Sequence, residues 1–125
     1  MALATLLRLN GMSCLGFGAL FLVGPGAVAA FLGAMPPWLL VALGVGLLGN
    51  GLHLFDAARR RPRAWEIRWF SAGDAAWVGL TLGILAAGGW ITTPSGQAAA
   101  AAVAVGVGAL GSLQWQHLAL QLRGR

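Results

Sequence analysis

The sequence predicts an all-α, polytopic membrane protein, a bundle of four transmembrane helices. Three observations predict it: a composition too apolar for water, four apolar runs of spanning length, and arginines gathered at alternate span ends. Of 125 residues, 58% are hydrophobic and 9% are charged, whereas a soluble domain carries about 25% charged residues. So few charges cannot cover a water-facing surface, and lipid is the solvent this chain suits. At this length a single transmembrane domain over residues 1–125 is expected.

A span needs about 20 predominantly apolar residues. The first run, about 4–23, ends at Gly24-Pro25-Gly26. Arg8, the apolar stretch and Ala27-Val28-Ala29 imitate a secretory leader. Further membrane spans follow it, so it is read as a retained span. The second run, about 38–58, starts after Pro36-Pro37, and proline suits a helix start because its missing N–H would have no partner there. The third, about 65–87, stops at Gly88-Gly89, and the fourth covers about 97–122. Backbone groups in lipid must be satisfied internally, so runs of this length are helices. Residues 27–35 are apolar and are expected to form a short helix in the interface.

The two loops 24–37 and 88–95 carry no charge. The loop 59–64 holds Arg59, Arg60, Arg61 and Arg63, and Arg123 and Arg125 end the chain. By the positive-inside rule both termini and the basic loop are cytoplasmic, which suits a multi-pass protein of the bacterial inner membrane. Trp38 and Trp90 then mark the outer interface, Trp65 and Trp69 the inner one. The net charge of +5 sits at span ends and not on a soluble face interleaved with aromatics, so nucleic acid is not the expected partner. Cys14 is the only cysteine, which excludes an internal disulfide.

Small residues recur at four-residue spacing: Ala75, Gly79, Gly83 and Ala87 in the third span, Ala100, Ala104, Gly108 and Ser112 in the fourth. Such ridges let helices approach closely in lipid. They are expected to serve internal packing, with a homodimer or a larger membrane complex as the alternative. The second and fourth spans also share a pattern at an offset of 64: Val41, Gly44, Asn50, His53, Leu54 and Arg59 match Val105, Gly108, Gln114, His117, Leu118 and Arg123. Two hairpins of the same sense, a repeat seen in transporters, would produce it.

Polar residues inside the spans gather towards the arginines. His53, Asp74 and His117 each lie six residues from an arginine (Arg59, Arg68 and Arg123), roughly 9 Å along a helix axis. Asn50 and Gln114 lie about one turn deeper, and the first span adds Arg8, Asn10 and Ser13. Polar groups in lipid seek partners within the bundle, so Asp74, His53, His117, Asn50, Gln114, Arg8 and Asn10 are expected to converge. Asp74 is the focus, an acid far from the charged loop, costly to hold ionised unless a cation pairs with it.

Three readings of the cluster follow. In the first it is structural, with Asp74 paired to Arg8 or bonded to His53 or Asn10, and the protein is a non-catalytic accessory or structural membrane component. In the second, Asp74 with His53 and His117 couples protons or cations in a small oligomeric transporter or channel. In the third, the two histidines are axial ligands of a haem b, or join Asp74 around a metal of unknown identity. The glycine pairs inside the spans are not phosphate loops, which need a strand-to-helix turn. No pairing of a nucleophile with an oriented base is evident, so no catalytic residue is expected. Trp77 and Trp115 read as core fillers, and Asp56 and Glu66 as partners of nearby arginines in ordinary helical pairs.

Overall fold

A computed structural model describes residues 2–124; Arg125 lies outside the described residues. It contains five helices: α1 (Leu3–Val23), α2 (Pro25–Leu32), α3 (Pro37–Arg59), α4 (Ala64–Ala87) and α5 (Pro94–Arg123). Four of them, α1, α3, α4 and α5, are long and apolar enough to cross a membrane. The protein is an all-α bundle of four such helices, and no strand occurs among the described residues. Proline opens α2, α3 and α5 at the position where a missing N–H costs nothing. Gly88 ends α4 in the left-handed conformation (φ 72°) that glycine adopts freely. The 30 residues of α5 extend about 45 Å at 1.5 Å per residue, longer than a hydrocarbon core of about 30 Å.

The long helices form two hairpins of the same up-and-down sense. α1 packs along α3, α4 packs along α5, and α1 also touches α5. The start of α1, the end of α5 and the loop 60–63 therefore share one end, the basic end. The loops 24–36 and 88–93 share the other, the apolar end.

Glycine sets the first hairpin. Gly11 and Gly18 on α1 meet Gly51 and Gly44 on α3, and the approach is close enough to exclude any side chain. A Cβ on Gly44 would lie 3.0 Å from the Gly18 carbonyl oxygen and 2.9 Å from Leu22. One on Gly51 would lie 3.1 Å from the Gly11 carbonyl and 2.8 Å from Leu15. These contacts are reciprocal, as an antiparallel pair requires. The second hairpin is built on the same scheme with larger residues: a Cβ on Gly108 would lie 3.5 Å from Val78 where Gly44 faces Gly18.

The expected packing ridge on the third span is not internal. Ala75, Gly79, Gly83 and Ala87 are all exposed on α4, and a Cβ on Gly79 or Gly83 would meet nothing within 4 Å. On α5, Ala104 is buried but Ser112 is exposed. The hairpins meet through larger side chains, so small residues on α4 were free to face outward. Trp115 likewise is 53% exposed and is not a core filler.

The interfacial segment is a true helix, α2, and it folds inward. It packs on α1, α3 and α5, burying Ala29, with Met35 beyond it buried as well. The loop after it is stitched to the loop before α5. Ala34 N–H donates to the Trp90 carbonyl (3.0 Å) and Thr92 N–H to the Leu32 carbonyl (2.8 Å). The Thr93 hydroxyl donates to the Phe31 carbonyl and accepts the Gly96 N–H at the start of α5 (3.0 Å). Gly33, at φ 122°, allows Thr92 to approach where a side chain would collide.

Replacing Gly44 or Gly51 by leucine is expected to lower stability by about 1–3 kcal/mol, the ordinary cost of overpacking. Gly46→Leu and Gly83→Leu point into open space and should leave the unfolding midpoint nearly unchanged. Thermal unfolding in detergent checks all four.

Candidate functional site

In a bilayer each buried polar side chain must find its partner among the helices. Around the middle of this bundle five residues do so in a chain. Asn50 of α3 donates its amide N–H to Cys14 Sγ on α1 (3.6 Å). The Cys14 thiol donates to Asn10 Oδ1 one turn earlier (3.7 Å). Asn10 Nδ2 donates across the bundle to Asp74 Oδ2 on α4 (2.9 Å), and Gln114 Nε2 of α5 donates to the same oxygen (3.1 Å). Asn10, Asp74 and Gln114 are buried.

The geometry fixes the chemistry of Asp74. Both donors converge on Oδ2, so that oxygen is an acceptor, and a proton on this carboxyl would have to sit on Oδ1. Gln114 Nε2 also donates to the Leu110 carbonyl (3.1 Å). Two acceptors thus fix the amide orientation, since turning it over would put its oxygen against the carboxylate. The consequence is that Gln114 Oε1 is buried without a hydrogen-bond partner. Beside this group, the Ser71 hydroxyl donates to the Gly111 carbonyl (3.2 Å), and the approach of α5 to α4 depends on Gly111. A Cβ there would lie 2.9 Å from the Asp74 Cβ. Thr81 turns inward within α4 and donates to the Trp77 carbonyl (2.8 Å).

His53 does not join this group through Asp74. His53 Nε2 lies 2.7 Å from Glu66 Oε2, and since a carboxylate only accepts, that nitrogen carries the hydrogen. Its ring rests on Phe70, with centroids 4.8 Å apart. His117 is half-buried on α5. Arg8 is exposed, and no ion pair among the described residues joins it to Asp74. Asp74 is held by amides instead of a cation. Asn10, Asn50, Asp74 and Gln114 thus come together, whereas His53 and Arg8 are carried elsewhere. No group of three or more His, Cys, Asp or Glu side chains that could hold a metal occurs among the described residues.

Glu66 is the centre that sequence reasoning underrated. It is 1% exposed, at the start of α4, where its carboxylate accepts four donors: both terminal nitrogens of Arg60 (2.8 and 2.6 Å), His53 and the Arg63 backbone N–H (3.0 Å). The pairing with Arg63 is through the backbone, not the guanidinium. A glutamate three residues into a helix is a capping signal, and this much was readable. Its burial was not, because it arises from α3 and the loop 60–63 folding over the first turn of α4. Glu66, followed by Asp56 (2.9 Å), raises the Arg60 guanidinium above its already high pKa. Asp56 itself is half-exposed and pairs with Arg60 and Arg59, as its spacing predicts.

Fold and site together define a four-span membrane bundle with an internal clasp of hydrogen bonds and a buried glutamate bound at its basic end. Neither a known protein family, nor a characterised protein, nor a solved structure matches the chain.

Removing the acceptor altogether, in Asp74→Leu, leaves Asn10 and Gln114 donors unpaired and is expected to lower stability by about 1–3 kcal/mol. Asp74→Asn, which keeps one carbonyl oxygen for both donors, should lose less. An Asn10/Asp74 double-mutant cycle should return a coupling of at least about 0.5 kcal/mol. Glu66→Gln should lower the unfolding midpoint more than Asp56→Asn, because only Glu66 is buried among its donors.

Proposed function

We propose that this protein is a small, non-catalytic component of the bacterial inner membrane whose intramembrane polar residues hold its two hairpins together. The observation that carries this reading is the double acceptance at Asp74 Oδ2 from Asn10 and Gln114. That arrangement binds α4 to α1 and to α5 and works whether the carboxyl is charged or protonated. A coupling site needs a group that changes its partners when it takes up a proton or ion. Here the partners are neutral amides that serve both states, and His53 is engaged with Glu66. Arginine clusters at the basic end support cytoplasmic placement of both termini and of the loop 60–63.

One observation favours a second reading. Asp74 also lines an open groove between α4 and α5, together with Ser71, Gly108, Gly111, Ser112 and Gln116. A groove with a carboxylate in its wall is the feature a proton- or cation-conducting oligomer would use. No comparable observation favours the haem or metal reading.

Proteoliposomes carrying a pH-sensitive dye and an imposed potassium diffusion potential separate the two. The structural reading expects wild-type and Asp74→Asn vesicles to leak protons at the rate of protein-free vesicles. A wild-type flux at least ten-fold higher, abolished by Asp74→Asn in folded protein, would overturn it in favour of conduction.

A further inference from the structure

Hydrogen bonds join the hairpins near Asp74, and α2 with its loop joins them at the apolar end. Between these two ties the helices stand apart and leave a cavity of about 400 Å³. Phe21, Leu32, Met35, Leu43, Trp77 and Ile84 are among its walls. Of its lining residues only Trp77 and Thr81 carry a side-chain nitrogen or oxygen, and the Thr81 hydroxyl is engaged with the Trp77 carbonyl. No charged residue lines it.

We propose that this cavity binds one hydrocarbon chain of a membrane amphiphile. Its volume lies within the roughly 300–1,000 Å³ typical of small-molecule sites. An apolar cavity does not hold water, which needs two or more polar partners, and the walls offer an ionic or strongly polar ligand nothing to offset its desolvation. Access is sideways from lipid. Leu20 on α1, Phe31 on α2 and Leu80 on α4 line the cavity and are 51%, 50% and 61% exposed. The medium at that opening is hydrocarbon, so a slender chain enters without leaving the bilayer. α2 carries no charged side chain, so nothing there grips an anionic or cationic headgroup, and selection acts on the chain. The inference stands whether the bundle is structural or conducts ions, because it uses neither Asp74 nor the histidines.

The test is native mass spectrometry of the full-length protein released from detergent micelles. Wild type is expected to keep one lipid per protomer. Ala100→Phe on α5 and Ala27→Phe on α2 fill the cavity from two different helices, and each should cut the lipid-bound fraction at least five-fold. Ala75→Phe, in the separate groove between α4 and α5, should leave it unchanged. Circular dichroism and thermal unfolding show which variants are folded, and Ala27, exposed on α2, is the position where a larger side chain is best tolerated. Delipidated protein titrated with dioleoylphosphatidylglycerol or with geranylgeraniol then distinguishes an acyl from a prenyl source, and saturation at one equivalent by either supports the site. No retained lipid in wild type, or equal retention in wild type and the folded filled variants, would overturn it.

Discussion

The hydrogen bonds at Asp74 Oδ2 exist because lipid offers a polar side chain no partner. In water Asn10 and Gln114 would be satisfied by solvent and Asp74 could face outward on α4. In hydrocarbon each must turn inward, and the three positions are then drawn to one point from three helices. Interhelical hydrogen bonds in membranes are individually modest, averaging about 0.6 kcal/mol by double-mutant cycles. What they determine here is geometry: an unpaired carboxylate in lipid costs far more than such a bond gains, so alternative rotations of α4 and α5 are excluded. The buried Gln114 Oε1, left without a hydrogen bond, is a cost of that arrangement, since its amide is turned to serve Asp74 and Leu110.

The bundle follows from that point outward. α1 and α3 are drawn together by reciprocal glycine contacts along their length, whereas the two hairpins are held to each other chiefly by the clasp at Asp74 and by α2 at the apolar end. Near the clasp the contact is polar and close. Towards the apolar end the helices bear Phe, Leu, Ile and Trp, which in lipid gain little by leaving one apolar environment for another. Packing alone decides there, and a gap remains among large side chains such as Phe21 and Trp77 and small ones such as Ala27 and Ala100. α2 and the loop 88–93 span that gap, held by backbone hydrogen bonds that require Gly33 at positive φ.

The two acids near the cluster have different tasks set by depth. Glu66 lies at the basic end, within reach of a guanidinium that is itself 41% exposed. An arginine there keeps part of its hydration while pairing with a buried carboxylate. Asp74 lies deeper, where no arginine side chain arrives, and amides take the role of the cation. His53 falls between them and pairs with Glu66, which explains why His53 and Asp74 at equal depth do not form one site.

Much of this architecture is written in the sequence. The apolar runs, the prolines at Pro25, Pro37 and Pro94, and the glycine at 88 place the spans within a few residues, because helix length and termini are local properties. The repeat is also readable, and the structure gives it content: Asn50 on Cys14 in one hairpin corresponds to Gln114 on Asp74 in the other. Depth and shared helix faces grouped Asn10, Asn50, Asp74 and Gln114, but grouped His53 and Arg8 with them as well. Tertiary structure decided the rest. Depth along a helix is fixed by residue count, but rotation about its axis depends on every neighbour at once, and rotation sent the Ala75–Ala87 ridge outward, His53 to Glu66 and Arg8 to the surface. The cavity lies furthest from sequence reasoning, since no residue encodes it and it exists only where two separately packed hairpins fail to meet.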